Sequence, residues 1–533
     1  MAVMRYNAAK GMWYAEGLDT KTANKIGLDW SRPAGVHFTT DRYAALAMWD
    51  IADADAQDSL FLERMNVEAS WATEYRGPRT FRVPPGEELM PFQKSGISYA
   101  LDRWNTLIAD EPGLGKTAQA IVFANEIGAQ RVLVICPASV RLQWQQMIYR
   151  WVWPRNLPTK TGFPVVCPIL TGKSPIYRGP HPCWYIVSYD LIARSPAIYE
   201  IFRGMNYDLF IGDEIHFLRS PEARRTQHIF GAKHIEGVAE SAERKLGLTG
   251  TPLPSRPREC YTVTRNFCFD AIDRLSLDKF KSFYNETLSL PGEKQIELVG
   301  RLPELQQRLR ANFMVRRHKD DVLPQLPKTR YEIAYVEPNK GVREALRAEK
   351  MLGIDPGDFK SWDAQVQGQV ATIRREMGEA KVPLVVEHVH RLMSELDKLV
   401  IYCWHKSVLA ALAEELAEYS PVQVPGGTTN KQKHERKEAF MYDPSVRLFL
   451  GNIAAVGTGT DGIQEVAYFA VFAEPSWTPG ENEQAVDRLR RMGQQGHVVA
   501  QFLVAPQGFD ERVLKANLEK ADHTHRTLDG GAV

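Results

Sequence analysis

Asn105-Thr-Leu-Ile-Ala-Asp-Glu-Pro-Gly-Leu-Gly-Lys-Thr117 is the stretch that decides how this chain is read. The apolar run Leu107–Ala109 has a strand pattern, and Gly113 and Gly115 break it. Ala118, Ile121, Val122 and Ala124 then recur at helical spacing. Strand, glycine loop and helix in that order cradle a polyphosphate. Loop N–H groups and the helix N-terminus face the phosphate oxygens, Lys116 supplies positive charge, and Thr117 offers a hydroxyl to magnesium. Gly113, Leu114, Gly115, Lys116 and Thr117 are therefore candidate nucleotide-binding residues. One position departs from the strict pattern: Asp110 stands where its first glycine is expected.

The chain around this loop has 533 residues, which suggests about three or four domains. Its apolar and charged fractions are those of a globular protein with room for large cores. The formal net charge of +1 does not exclude nucleic acid, because a basic cleft can be balanced by acidic faces. Six cysteines form no CxxC pair, and Cys136, Cys183 and Cys403 lie in or beside apolar runs. That usage fits core packing in a reducing compartment better than disulfides or zinc. No stretch approaches a membrane span, and the N-terminus lacks a charged-then-apolar signal pattern. The reading is a soluble, intracellular protein without a membrane partner.

Short apolar runs alternate with helical patterns from residue 86 onward. One set is Val132–Cys136, Trp184–Val187, Tyr207–Ile211 and Leu246–Thr249; a second is Leu399–Trp404, Arg447–Leu450, Tyr468–Ala473 and Val498–Val504. Continuous β-rich runs separated by helices indicate parallel strands buried on both faces, hence two α/β lobes. We expect lobes at 86–327 and 328–533, with helical insertions at about 253–320 and 338–396 and a short C-terminal tail. Both insertions carry arginines, which suit either solvated helices or a grip on a duplex. Residues 1–85 form a separate aromatic-rich α+β module. There Gly27–Trp30 and Val36–Asp41 read as a hairpin leading into a helix from Arg42, serving either as a small core or as a DNA contact.

Asp213-Glu-Ile-His216 follows the run Tyr207–Ile211. A carboxylate pair at a strand end, downstream of a phosphate loop, has a defined task. Asp213 would hold magnesium, and Glu214 would orient and deprotonate the attacking water. Thr249 and Thr251, on the turn after the next strand, can hydrogen-bond the Asp-Glu-x-His loop and report its state. Far along the chain, Arg488 and Arg491 lie three apart, hence on one helix face, where they could act as arginine fingers.

Taken in order, Asp110–Thr117, Asp213–His216, Leu248–Pro252 and Trp477–Gln494 resemble the motifs of superfamily-two helicase-like ATPases, specifically the Swi/Snf type. Pro91-Phe92-Gln93 resembles that branch's adenine-reading segment, Cys136 through Trp144 its first DNA-contacting motif, and Phe313–Arg317 with Asp321–Pro324 its inter-lobe region. The resemblance covers residues 86–515. Gly378-Glu-Ala-Lys381 and Phe472-Ala-Glu474 look most like the annealing-helicase subgroup, with short phage and bacterial members as the nearest type. The loop Ala454–Gly462 departs from the pattern, being longer and richer in glycine.

The resemblance implies two RecA-like lobes, ATP and magnesium as cofactors, and Gln93 on the adenine. It implies coupling roles for His216, Thr249, Thr251 and Gln484. It further implies DNA contacts at Ser139, Arg141, Ser188, Tyr189, His405, Gly427 and Thr458. The activity implied is an ATPase that translocates on double-stranded DNA, acting on forks, bubbles or bound proteins without extensive strand separation. Its implied setting is a bacterial cytoplasm, beside replication, repair or recombination proteins. Two alternatives share the nucleotide motifs: a strand-separating DNA or RNA helicase, and a clamp or scaffold that binds nucleotide without hydrolysing it.

Overall fold

The computed structural model describes residues 2–153, 164–179, 182–250, 257–288, 296–299, 301–352, 364–456, 462–476, 479–491, 493–512 and 514. Thr251, Thr458 and Trp477 lie outside them. The chain divides into two compact units, Met1–Val322 and Leu323–Ala521.

In the first unit the described residues form a sheet of seven parallel strands. Their order is Met314–Val315, Asn105–Ile108, Ala242–Leu248, Tyr207–Asp213, Arg131–Cys136, Cys183–Ser188, Val165–Pro168. Helices cover both faces, which is why the central strands are apolar at successive positions rather than alternating. Ile97, Ile121, Trp144 and Ile148 pack one side. Ile192, Phe202, Val263, Leu305 and Leu309 pack the other.

The stretch 253–320 differs from a purely helical insertion. It holds the helices Tyr261–Phe267, Leu277–Tyr284 and Leu302–Asn312 and a hairpin, Asn285–Leu288 with Ile296–Val299. It then re-enters the sheet as Met314–Val315, beside the strand that feeds the glycine loop. Its arginines divide, with Arg265 and Arg274 exposed and four others enclosed. Arg308, Arg310, Arg316 and Arg317 are all buried.

The amino-terminal module contains a four-stranded antiparallel sheet in the order Val3–Asn7, Met12–Glu16, Val36–Thr39, Asp29–Ser31. The expected hairpin is present, with Trp30 opposite His37, and the helix Arg42–Leu46 follows it. Met4, Trp13, Ile26, Leu28, Leu46 and Val67 make its core together with Ala311 of the helix Leu302–Asn312. Trp30 stays exposed, edge-on to the His37 ring at 4.7 Å.

In the second unit the described residues form six parallel strands, in the order Arg330–Tyr335, Val499–Val504, Phe469–Phe472, Leu399–Cys403, Leu448–Asn452, Val422–Val424. Helices Lys340–Leu352 and Ala364–Met393 form the 338–396 stretch. Val342, Met377, Val385 and Val389 pack against Ile401, Leu450 and Val471 of the sheet. Arg374 is buried there, while Arg343, Arg347 and Arg375 are exposed. The six cysteines are unbridged, with Cys136, Cys183 and Cys403 buried. Among the described residues no helix is long and apolar enough to cross a membrane.

Candidate active site

The registers of the first sheet bring the motifs together. Leu248 lies opposite both Ile108 and Asp213, so the segments that follow these strands emerge side by side at the carboxyl edge. That edge is where open α/β sheets bind ligands.

The glycine loop runs from Ala109 to Gly115, with Gly113 at φ 88° and Gly115 at φ 72°. Lys116 opens the helix Lys116–Ile127, with Thr117 half-buried beside it and Leu114 buried beneath. Lys116 Nζ donates to the carbonyls of Asp110 (2.8 Å) and Glu111 (3.2 Å). Burial pushes its ammonium below the ordinary lysine range, while the charges of Glu214, Asp110 and Asp213 pull it back up. Lys116 therefore lies within electrostatic reach of both carboxylates of the Asp-Glu-x-His segment. Gln93 lies under the same loop. Its Oε1 accepts from the Met90 N–H (2.9 Å) and its Nε2 donates to the Leu114 carbonyl (3.1 Å). In this structure it braces the loop from the helix Pro91–Leu101.

Asp110 needs no glycine-like backbone, because its φ is not positive. Its carboxylate is buried and takes both nitrogens of an Arg317 fork, Nε at 2.9 Å and Nη2 at 2.6 Å, with Gln119 Nε2 at 3.0 Å. The departure from the strict loop pattern is thus a salt-bridged anchor.

Asp213 ends its strand half-buried, with its side chain against Trp144, whose indole N–H donates to Oδ2 at 2.7 Å. Desolvation, and then the neighbouring Glu214 charge, raise the Asp213 carboxyl above the usual carboxylate range. A desolvated carboxylate, on a strand separated by one other from the strand that feeds the Thr117 helix, fits magnesium, which takes one or two protein oxygens and completes its shell with phosphate and water. Glu214 has a left-handed backbone at φ 50°. The Thr249 hydroxyl lies 2.9 Å from His216 Nδ1 and 3.4 Å from Glu214 Oε2. His216, Thr249 and Glu214 therefore form a triangle.

Candidate nucleic-acid residues divide by exposure. Ser188 is buried, and its hydroxyl accepts from the Leu191 N–H as a helix cap. Tyr189 is buried, and its hydroxyl donates to the Asp213 carbonyl at 2.7 Å. Neither leaves side-chain surface for DNA. Arg141 spends its guanidinium on the carbonyls of Ala138, Ile169 and Leu170, and Ser139 is half-buried beside it.

In the second unit, His405 Nδ1 lies 2.7 Å from Glu474 Oε1, and Gly427 is exposed on a turn at φ 95°. The helix carrying Gln484 is regular over Pro479–Val486 only. Arg488 and Arg491 therefore do not share a regular helix face. They follow it on tighter turns, Arg488 N–H to the Ala485 carbonyl and Leu489 N–H to that of Val486. Arg491 Nε donates to the Asp487 carbonyl at 3.0 Å. Burial raises the Tyr402 phenol above its ordinary range, and the charges of Arg488 and Arg491 work against that rise.

A family model for the SNF2-related domain matches residues 92–398, more than half of the chain. The chain belongs to the SNF2-related family. A Xenopus laevis protein, SWI/SNF-related matrix-associated actin-dependent regulator of chromatin subfamily A-like protein 1, is 30% identical over 78% of the chain and 42% of its own length. The Bos taurus DNA annealing helicase and endonuclease ZRANB3 is 29% identical over 83% of the chain and 41% of its own length. The chain thus spans about two-fifths of these relatives. The Sulfolobus solfataricus SWI2/SNF2 ATPase core in complex with dsDNA covers 85% of the chain and 97% of its own, at 16% identity and a TM-score of 0.39.

Sequence reasoning missed the role of Arg316, Arg317 and His318. A basic cluster after a helix reads as surface, and only its position beside the loop strand shows otherwise. The pairing of Asp110 with Arg317, 207 residues apart, has no local signal.

Proposed function

We propose that this chain is a DNA-stimulated ATPase that translocates along double-stranded DNA, remodelling forks, bubbles or protein–DNA complexes without extensive strand separation. The observation that carries it is the gathering of Lys116, Asp213, Glu214, His216 and Thr249 at one sheet edge in a chain of the SNF2-related family. SNF2-related ATPases use ATP with a divalent metal, and here Thr117 and Asp213 would hold magnesium. When bound, the ion neutralises charge on the phosphates. Lys116 would exchange its two loop carbonyls for phosphate oxygens, drawn by its charge. Glu214 would orient and deprotonate the attacking water, and Thr249 and His216 would sense the Glu214 carboxylate. Arg488 and Arg491 are the proposed arginine fingers, with Gln484 in support. Gln93 would meet the adenine with its amide edge.

On nucleic acid, Ser139, Arg141, His405, Gly427 and Thr458 remain the proposed contacts. Such binding is mostly to phosphates and weakens steeply with salt. Relatives named for chromatin regulation and for annealing helicase activity support DNA as the partner, and the short bacterial or phage setting is our proposal for the source.

Comparing ATP turnover with duplex, forked, single-stranded and RNA oligonucleotides tests the reading. Duplex or forked DNA should stimulate most; stimulation by RNA alone would overturn the proposal in favour of an RNA helicase. No turnover with any of them would favour the clamp.

A further inference from the structure

We propose that the amino-terminal module is a positioning element of the phosphate loop, acting through Ser70, Arg310 and Arg317. Its kinetic consequence rests on the ATPase reading; its structural one does not.

The connection is continuous and buried. Ser70, in the module's helix Phe61–Trp71, donates its hydroxyl to the Met314 carbonyl at 2.7 Å. Met314 belongs to the two-residue strand that borders the loop strand. Arg310 Nη1 donates both to Ser70 Oγ (3.2 Å) and to the Arg316 carbonyl (2.9 Å), with its guanidinium 3.3 Å over the Trp71 ring. Tyr43 and Asp41 of the module hold the same helix at Asn312 and Arg308. A tether that only presented a DNA-reading surface would not share its core with the lobe.

From that strand, consecutive residues grip consecutive loop residues. Arg316 Nη1 donates to the Ala109 carbonyl (2.9 Å), the Arg317 fork holds Asp110, and His318 Nδ1 lies 3.0 Å from Glu111 Oε1. Arg317 Nη1 also donates to the Phe92 carbonyl. Its guanidinium passes so close to Gly96 that a Cβ there would strike it. The Lys116 ammonium rests on the carbonyls of Asp110 and Glu111. A chain of direct contacts therefore runs from Ser70 to the loop lysine. Buried guanidinia cannot exchange these partners for water, and a close-packed interior passes displacement on rather than absorbing it. Removing the Ser70 hydroxyl frees the strand Met314–Val315 from the module, and the loop should loosen with it.

Hydrogen exchange on the full chain, without nucleotide, is the direct test. Ser70→Ala and Arg317→Lys should each speed exchange of the peptide 107–119 by about fivefold or more. The second-unit strand Leu399–Cys403 should be unchanged, and the pair should combine non-additively. ATP kinetics should show KM raised by about three- to tenfold with kcat within about twofold, a split that general destabilisation would not produce. Unaltered loop exchange in Ser70→Ala, with the helix Phe61–Trp71 loosened, would overturn the inference. A wild-type chain that hydrolyses no ATP would sink the activity reading while the exchange arm still decides this one.

Discussion

Glu214 is held at φ 50°, a backbone that costs a residue with a Cβ on the order of 1–3 kcal/mol and persists where surrounding structure imposes it. Here the strand end at Asp213 and the Thr249–His216 pair impose it. Glu214→Gln should lose turnover by about a thousandfold or more while binding of a fluorescent ATP analogue stays within a few-fold. Thr249→Val should lower DNA-stimulated turnover by about tenfold, the scale of one hydrogen bond to a charged group, with ATP binding little changed.

Glu111 supplies a pH signature. Burial works to raise its carboxyl, but hydrogen bonds from His318 and the Lys319 amide, with the charge of Arg316, bring it from 4.5 down to about 2. A lowered folded-state value means stabilisation that is full above about 4.5 and drains away as pH falls toward about 2. Glu111→Gln should cost at most about 3 kcal/mol at neutral pH and flatten that acid limb, as read by urea unfolding over a pH series.

At the scale of elements, the helix Ala364–Met393 fastens the second unit through one face. Lys381 is buried and donates to the carbonyls of Ala473 (2.6 Å) and Leu503 (3.0 Å) and to Asp510. Arg374 lies against Trp404, 5.1 Å from its ring centroid. One turn before Lys381, a Cβ on Gly378 would fall on the Glu474 carboxylate that holds His405. Lys381→Met removes the partner of a buried carboxylate and should destabilise the second unit by about 3–5 kcal/mol, measured by denaturant unfolding. Gly378→Ala should weaken DNA-stimulated turnover more than it weakens folding, because it displaces the Glu474–His405 pair; equal melting and equal stimulation would count against that link.

For the whole molecule, the strand runs Val132–Cys136, Trp184–Val187, Tyr207–Ile211 and Leu246–Thr249 were legible because parallel strands covered on both faces need unbroken apolar stretches. Those in the second unit follow the same rule. Strands at or near sheet edges, such as Met314–Val315 and Val422–Val424, are too short to stand out, and Arg330–Tyr335 alternates exposed and partly buried residues. DNA affinity belongs to this scale as well. It should fall by an order of magnitude or more between about 50 and 200 mM salt, with little sequence preference, as read by fluorescence anisotropy.

What the sequence determined alone was the local chemistry. Glycines next to a lysine and a hydroxyl, and a carboxylate pair at a strand end, carry their meaning in a few contiguous residues. Only the tertiary structure decided which charges are spent inside. Arg310, Arg316 and Arg317 look in sequence like surface for a duplex, and packing buries them. A guanidinium is placed by partners hundreds of residues away, so its burial is a property of the folded arrangement and leaves no local trace in the chain.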